Sequence, residues 1–523
     1  MYWFGLIGIV SIAVFVRLAF FTGVFGSDEV TYIQSAVDIA EGRWIPYFYA
    51  GSWRYGVNLP NALSIAWFGT SEIPASLWGF LCSVGEVALV FAFAFRLWGF
   101  RAALFAAVVI ALLPLHVHLA GRAMADSPLA FFVSLTFVLF WIAEQKRRSA
   151  LYFAAGLAAG FVFWIKESVP IFCAVFALYA LLQGKWNFKW LWMALGAALM
   201  VGANCLLFWS ITGDPLHIFH VIRDKADLIH TVLVNGASSP WYYFRYLFLD
   251  IKHVWIMAYL ASGGMVLWAM AWLGQRSCDK ATGYVVLWAI GLLVVFSLTP
   301  LSLHPLLLIT KQTNYMMIFM APLCLLAGYG LARLPRMVAG VILSIFVSGA
   351  LVLGALEQQV VRVFTSNSKA SVVFAQQQVD VPVYVMTNAY RVGIYASLMQ
   401  PSTTQNPLRS MGRLTADLSA LQKSAQAPTS KSVAIAIVDM QTIDWGNART
   451  IKSLKDVPDC WERVGTLQPI GFGIGQTVIE NLQMLVELLP NVVADKISHS
   501  TQPLLRPLPA YVYSIPRTCN FAL

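Results

Sequence analysis

Up to about residue 356 the chain is a succession of apolar runs, each close to the roughly 20 residues a helix needs to cross bilayer hydrocarbon. They fall at 3–25, 75–95, 102–120, 127–143, 150–165, 168–183, 190–211, 253–273, 284–301, 313–332 and 336–356. With 59% hydrophobic and only 11% charged residues among 523, against about 25% charged in a soluble domain, most of this chain must face lipid. The expected fold is a polytopic α-helical membrane protein of about 11 transmembrane helices, with interfacial helices in the first outer loop. The first run lacks the basic start and the small-residue cleavage site of a secretory signal, so it reads as a retained helix.

Orientation follows from the basic loops. Arg96 with Arg101, Lys146-Arg147-Arg148, Lys185 with Lys189, Arg276 with Lys280, and Arg333 with Arg336 occupy alternate loops, which marks that side as cytoplasmic. The same bias accounts for the net charge of +10, so nucleic acid is not an expected partner. The loops 26–74, 121–126, 166–167, 212–252 and 302–312 then face outward, and so does the tail. The expected division is a transmembrane module, 1–356, with its first outer loop at 26–74, followed by a C-terminal α/β domain, 357–523. In that domain 381–387 and 432–440 read as strands and 389–399 as a helix, with loops at 401–407 and 423–431.

Of the seven cysteines, Cys82, Cys173, Cys205 and Cys324 lie in apolar runs and Cys278 in a basic loop. Cys460 and Cys519 are a disulfide candidate if the tail is extracytoplasmic, and two free thiols otherwise.

The chemistry-bearing residues gather at the outer ends of the runs. Asp28 and Glu29 open DEVTYIQSAVDIAEGRW, where Val30, Ile33, Val37 and Ile39 make an apolar face and Gln34, Asp38 and Glu41 a polar one. Asp28 suits an N-cap, yet a cap does not call for a second acid beside it. Asp126 stands at the start of another run with Pro128 close behind, again a capping position. Lys166 and Glu167 interrupt two runs, and Lys311 and Tyr315 begin a later one. Arg54, Arg122, Lys166 and Lys311 run against the inside bias for cations, which fits a bound phosphate as well as contact with lipid head groups. Arg17 and Glu86, each roughly 13–18 Å in from the outer ends of their runs at 1.5 Å per residue, can pair inside the bundle. His217 and His220, with Asp214 or Asp224 nearby, are the best candidates for a divalent metal; no cofactor is required by the pattern.

The order of these pieces resembles the GT-C membrane glycosyltransferases, in particular the group of protein O-mannosyltransferases and lipid A aminoarabinose transferases. The resemblance rests on the Asp-Glu-x-x-Tyr closing the first run, on ALFAAVVIALLPLHVHLAGRAMADSPLAFF (103–132), on GLAAGFVFWIKESVPIF (156–172) and on KQTNYMMIFMAPLCLLAGYGLARL (311–334). It implies a transferase that moves a sugar from a polyprenyl phosphate to an envelope acceptor at the outer face, with Asp28 as general base and inversion at the anomeric carbon. By the same resemblance Glu29, Tyr32 and Asp126 neighbour the base, Tyr315 positions substrate, and Lys166 and Lys311 lie near the donor phosphate, with Arg54 and Arg122 adding charge. The acceptor is lipid A or lipopolysaccharide, another glycan, or a protein hydroxyl; the protein is expected to be a monomer of the inner membrane. Two departures stand out. The Glu-Lys-Pro-Pro type motif of the aminoarabinose transferases is replaced by WRYGVNLPNALS (53–64), and their late Arg-Tyr by Asn314-Tyr315. A transporter or flippase of a lipid-linked or anionic substrate is the rival reading, and a noncatalytic envelope-assembly protein a third. Transporters show repeated halves and polar helix interiors, and neither is evident.

Overall fold

The computed structural model describes the chain except residues 27, 48–49, 168, 185, 225–238, 276–278, 305, 379–380, 387–407, 415–416, 418–431, 444–450, 452, 487–489 and 520–523. The helix expected at 389–399, the loops expected at 401–407 and 423–431, and the basic-loop residues Lys185, Arg276 and Cys278 lie outside the described residues.

In chain order the helices are α1 (Tyr2–Ala19), α2 (Glu29–Ala40), α3 (Tyr55–Phe68), α4 (Glu72–Trp98), α5 (Phe100–Leu112), α6 (Pro114–Ala120), α7 (Asp126–Lys146), α8 (Ser149–Ile165), α9 (Ala174–Gln183), α10 (Trp190–Thr212), α11 (His217–Asp224), α12 (Met257–Gln275), α13 (Lys280–Leu298), α14 (Met317–Arg333), α15 (Arg336–Gln377), α16 (Ile474–Val486) and α17 (Asn491–Leu505). Among the described residues eight helices are long and apolar enough to cross a membrane, or nine if α5 and α6 form one broken span. Two shorter apolar helices, Ser149–Ile165 and Ile171–Gln183, occupy the remaining runs. The outward faces of α1 and α10 carry exposed Trp3, Phe4, Phe15, Leu191, Leu199 and Trp209, a surface that only lipid accommodates. This is a multi-pass membrane protein.

Local chemistry explains where the helices differ from the runs. The first helix ends at Ala19 rather than at residue 25, and Gly23 and Gly26 follow with positive φ. The run 102–120 bends by 60° between α5 and α6. Pro114 has no N–H for the ladder, and Leu113 before it is extended at ψ 122°, as a residue preceding proline prefers. α13 begins where the Asp279 carboxylate accepts the Ala281 and Thr282 N–H groups and ends before Pro300.

The chain divides into two compact units: Met1–Ala19, Asp38–Leu63 and Ser76–Gly354 in the first, and Phe20–Val37, Ser64–Ala75 and Ala355–Leu523 in the second. In the first, α14 is the central post, buried at every position from Met317 to Leu331. Gly328 lets α5 approach it closely, since a Cβ there would meet the Ala106 nitrogen at 2.6 Å. Small residues at such crossings are how membrane helices pack without a hydrophobic driving force.

The same unit contains a wholly buried polar cluster. Arg17 and Glu86 do not pair directly; His116 stands between them. Arg17 Nη2 lies 2.7 Å from His116 Nδ1, and His116 Nε2 lies 3.0 Å from Glu86 Oε2. Ser134 donates to Glu86 Oε1 at 2.7 Å, and Arg17 donates to Ser83 Oγ and to the Ala111 carbonyl at 2.8 and 3.1 Å. The last of these satisfies a carbonyl near the α5–α6 break. Because α1 is shorter than its apolar run, Arg17 sits in its last turn and not at the depth expected.

In the second unit a five-stranded mixed sheet runs in the order β4-β3-β5-β7-β6. The chain also has a two-stranded hairpin, β1 (Pro300–Leu303) with β2 (Leu306–Leu308), which lies in the first unit. The sheet strands are β3 (Val383–Met386), β4 (Arg409–Ser410), β5 (Ser432–Asp439), β6 (Glu462–Leu467) and β7 (Ala510–Pro516). β3 pairs parallel with both neighbours; β7 pairs antiparallel with both of its own. β5 is buried from Val433 to Asp439, the signature of a central strand covered on both faces. Cys460 and Cys519 are joined in a disulfide with Cα atoms 5.5 Å apart, packed with Trp461 and Tyr513. α15 continues 21 residues beyond the expected boundary at 356, to Gln377.

Candidate active site

The acidic pair lies in the second unit. Asp28 immediately precedes α2, and its carbonyl accepts the Thr31 N–H at 3.1 Å; the residue is half-buried. Its neighbour has a different task. Glu29 is fully buried, and its Oε2 accepts the Phe25 and Gly26 N–H groups at 2.8 and 3.2 Å. The second acid therefore folds the preceding loop back onto the start of α2. Tyr32, one turn on, is buried at 1% exposure.

That loop is held from further away as well. Glu72 Oε1 accepts the Val24 N–H at 3.2 Å and Glu72 Oε2 meets Lys369 Nζ at 3.5 Å. Gly23, at φ +74°, leaves room for this carboxylate, which a Cβ would meet at 2.7 Å. Arg362 and Gln358 donate to the Phe21 carbonyl at 2.5 and 3.4 Å, and Phe25 stacks on Phe364 at 4.8 Å. None of Glu72, Gln358, Arg362 and Lys369 was expected. Nothing in the local sequence signals a partner some 300 positions away.

In the first unit a continuous polar chain gathers residues from four outer segments. Arg54, at the start of α3, grips Glu167 with two hydrogen bonds of 3.1 Å. Next to Glu167, Lys166 places its ammonium 3.4 Å from the centre of the Tyr315 ring, a cation–π contact. Beside Tyr315, Asn314 Nδ2 donates to Asp126 Oδ1 at 3.0 Å. Arg54, Lys166, Tyr315 and Asp126 are thus brought together, with Glu167 and Asn314 as the links. The acid missing near Arg54 in the sequence comes from Glu167. Burial raises the Glu167 carboxyl, but the Arg54 guanidinium and its hydrogen bonds outweigh this and leave it below the usual carboxylate range. Asp126 is 2% exposed, and its Oδ2 has no hydrogen-bond partner among the described residues. Arg122 and Lys311 are buried in the same unit; burial lowers the Lys311 ammonium, whose Nζ contacts the Ile309 carbonyl at 3.4 Å.

Other expected groups resolve differently. Asp38, expected on the polar face of α2, is buried because Arg43 and Tyr47 both bond its carboxylate, at 2.5 and 2.6 Å. The bond to Asp38, with burial, pushes the Tyr47 hydroxyl up to about 12. His220 pairs with Asp214 at 2.7 Å, while His217 stacks on Phe208 at 5.6 Å. Among the described residues no group of three or more His, Cys, Asp or Glu is arranged to hold a metal. A largely apolar groove of about 360 Å³ opens between Trp241–Phe248 and the end of α13, with Tyr243 and Ser297 among its lining residues.

Residues 58–209 match the sequence model of the family described as dolichyl-phosphate-mannose-protein mannosyltransferase, a stretch that includes Asp126, Lys166 and Glu167. ArnT from Cupriavidus metallidurans bound to undecaprenyl phosphate aligns at a TM-score of 0.59 and 16% identity, over 83% of this chain and 92% of its own. In its apo state ArnT aligns at 0.57 and 16% identity, over 88% and 95%. The fold is of the GT-C type. A search of curated protein sequences finds no match. The GT-C fold accounts for the run of spans, for the helices of the first outer loop and for the small sheet domain that follows.

Proposed function

We propose that this protein is an integral membrane glycosyltransferase that moves a sugar from a polyprenyl-phosphate donor to an envelope acceptor at the outer face of the inner membrane. The observation that carries this reading is the polar chain from Arg54 to Asp126 on a GT-C fold. It supplies cations and an open carboxylate oxygen, Asp126 Oδ2, in a protein whose bulk is apolar.

The reaction divides among these groups by charge. The Asp28 carboxylate takes the proton of an acceptor hydroxyl as that oxygen attacks the anomeric carbon. The bond from that carbon to the phosphate oxygen breaks, and its electron pair leaves with the polyprenyl phosphate. One displacement with no covalent intermediate inverts the anomeric centre. Phosphate is a stable leaving group, so electrostatic stabilisation of the departing anion replaces a general acid. Lys166, Lys311 and Arg122 supply that stabilisation. Arg54 acts through Glu167, whose backbone is continuous with Lys166, and Glu29 acts by shaping the loop that carries Asp28. Asp126 Oδ2 accepts a hydroxyl of the bound sugar. ArnT has been seen with undecaprenyl phosphate; here the groove at Trp241–Phe248 offers an apolar surface for a polyprenyl tail. The acceptor class stays within lipid A or lipopolysaccharide, other glycans and protein hydroxyls.

Purified protein reconstituted with a panel of polyprenyl-phosphate sugars and envelope acceptors should transfer one sugar with inverted linkage. No transfer with any donor, or retention at the anomeric carbon, overturns this assignment. Lys166→Ala should weaken donor binding by roughly ten- to a hundredfold, the loss of one or two charge-assisted contacts. Titration of the donor analogue polyprenyl phosphate measures it, and unchanged affinity removes Lys166 from the phosphate site.

A further inference from the structure

At the end of the bundle that carries the basic loops, a second cavity opens between the end of α7, the end of α9 and the start of α10. It measures about 360 Å³ and is lined by charged, amide and aromatic groups together. Neither the polar chain described above nor any reacting group belongs to it.

Glu144 is its hub. Its Oε1 accepts the Tyr152 hydroxyl at 2.6 Å and the Trp190 indole N–H at 2.7 Å, with Asn187 at 3.5 Å. Its Oε2 is placed differently. The nearest cation, Arg147 Nη2, stands 3.9 Å away, beyond hydrogen-bond reach. The Tyr179 hydroxyl also bonds the carboxylate, and the Glu144 side chain is only 8% exposed, so this buried charge is answered by hydroxyl, indole and amide donors and by no cation within hydrogen-bond reach. Two cations, Arg147 and Lys189, also line the opening, tied together by the Lys189 ammonium donating to the Arg147 carbonyl at 2.5 Å. Trp186, 66% exposed, stands edge-on to Trp190 at 5.4 Å and walls the rim.

A pocket lined by a buried carboxylate, aromatic rings and two cations matches a ligand with both signs of charge. We propose that it binds the head group of a zwitterionic phospholipid bearing a primary ammonium, that is, a phosphoethanolamine head. The ammonium donates to Glu144 Oε2 and lies against the Trp186 ring; the phosphate faces Arg147 and Lys189. A phosphoglycerol head brings no cation for Glu144 and sets a second negative charge near it. A choline head has no N–H to donate. The acyl chains have a surface to follow, because Leu181, Leu182 and Leu191, beside the opening, are 78%, 68% and 58% exposed. Trp186 and Trp190 sit where the aromatic belt of a membrane protein is expected, at head-group level.

Native mass spectrometry of the full chain in detergent, titrated with short-chain phosphatidylethanolamine, phosphatidylcholine, phosphatidylglycerol and free O-phosphoethanolamine, tests this. Phosphatidylethanolamine should bind about tenfold more tightly than the other two lipids, and Glu144→Gln should remove that preference. Glu144 also anchors Tyr152 and Trp190, so Trp186→Ala and Arg147→Gln, at exposed side chains, are measured beside it and should each weaken binding severalfold. Equal affinity for the three lipids overturns the proposal, as does unchanged phosphatidylethanolamine binding in both Trp186→Ala and Arg147→Gln. Free O-phosphoethanolamine binding as tightly as the lipid overturns a membrane lipid as its source.

Discussion

Asp28→Asn is expected to lower sugar transfer by about 10²- to 10⁴-fold while the protein keeps its fold and its affinity for the donor. The size is that of losing a positioned general base. The fold survives because asparagine caps a helix about as well as aspartate, and because the loop before α2 is shaped by the neighbouring Glu29, whose carboxylate takes the Phe25 and Gly26 N–H groups. Single-turnover transfer in proteoliposomes, with polyprenyl phosphate binding measured in parallel, separates the two quantities. Transfer at the wild-type rate by a normally folded Asp28→Asn protein would remove Asp28 from the chemistry. The contrast with Glu29→Gln is informative: it weakens the loop without removing a base, so its deficit should lessen with stabilising lipid or lower temperature, and that of Asp28→Asn should not.

The second large effect concerns stability. Glu86→Ala should cost about 3–5 kcal/mol, the penalty for leaving buried cationic and polar partners unanswered. Glu86, His116 and Arg17 are all at most 1% exposed, and they join α4, α6 and α1. Equilibrium unfolding in mixed micelles should show the loss, and the double variant Arg17→Met/Glu86→Leu should recover much of it, since a packed apolar pair avoids the buried charges altogether. If Glu86→Ala unfolds like the wild type, the cluster contributes nothing to holding these helices together.

How much of this was legible in the sequence depends on the range of the interaction. Hydropathy placed the eight helices that are long and apolar enough to cross a membrane among the described residues, because the cost of exposing backbone to lipid leaves few alternatives. β5 and β3 were legible from their β-branched runs. Helix ends were less so: the apolar run through Phe20 and Phe21 outlasts α1, since glycines at 23 and 26 adopt conformations a helix does not contain. Within the candidate site, acids and cations at the outer ends could be named, but their partners could not. Arg54 reads as a free cation until Glu167 is seen in its grip, and Asp38 reads as solvent-facing until Arg43 and Tyr47 close over it. Glu86 and Arg17 read as buried charges that can pair, yet nothing in the local sequence marks His116 as the mediator between them. A chain of side chains drawn from four segments leaves no period or spacing in any one of them.

α15 runs unbroken from Arg336 to Gln377, and its second half supplies Gln358, Arg362 and Phe364 to the loop at 21–25 and Lys369 to the Glu72 carboxylate that holds it. The place where hydropathy drops is therefore no seam at which the polypeptide comes apart into a working anchor and a dispensable appendage. A chain cut there would keep Asp28 and lose the scaffold behind it. The C-terminal portion is in this sense a part of the N-terminal one.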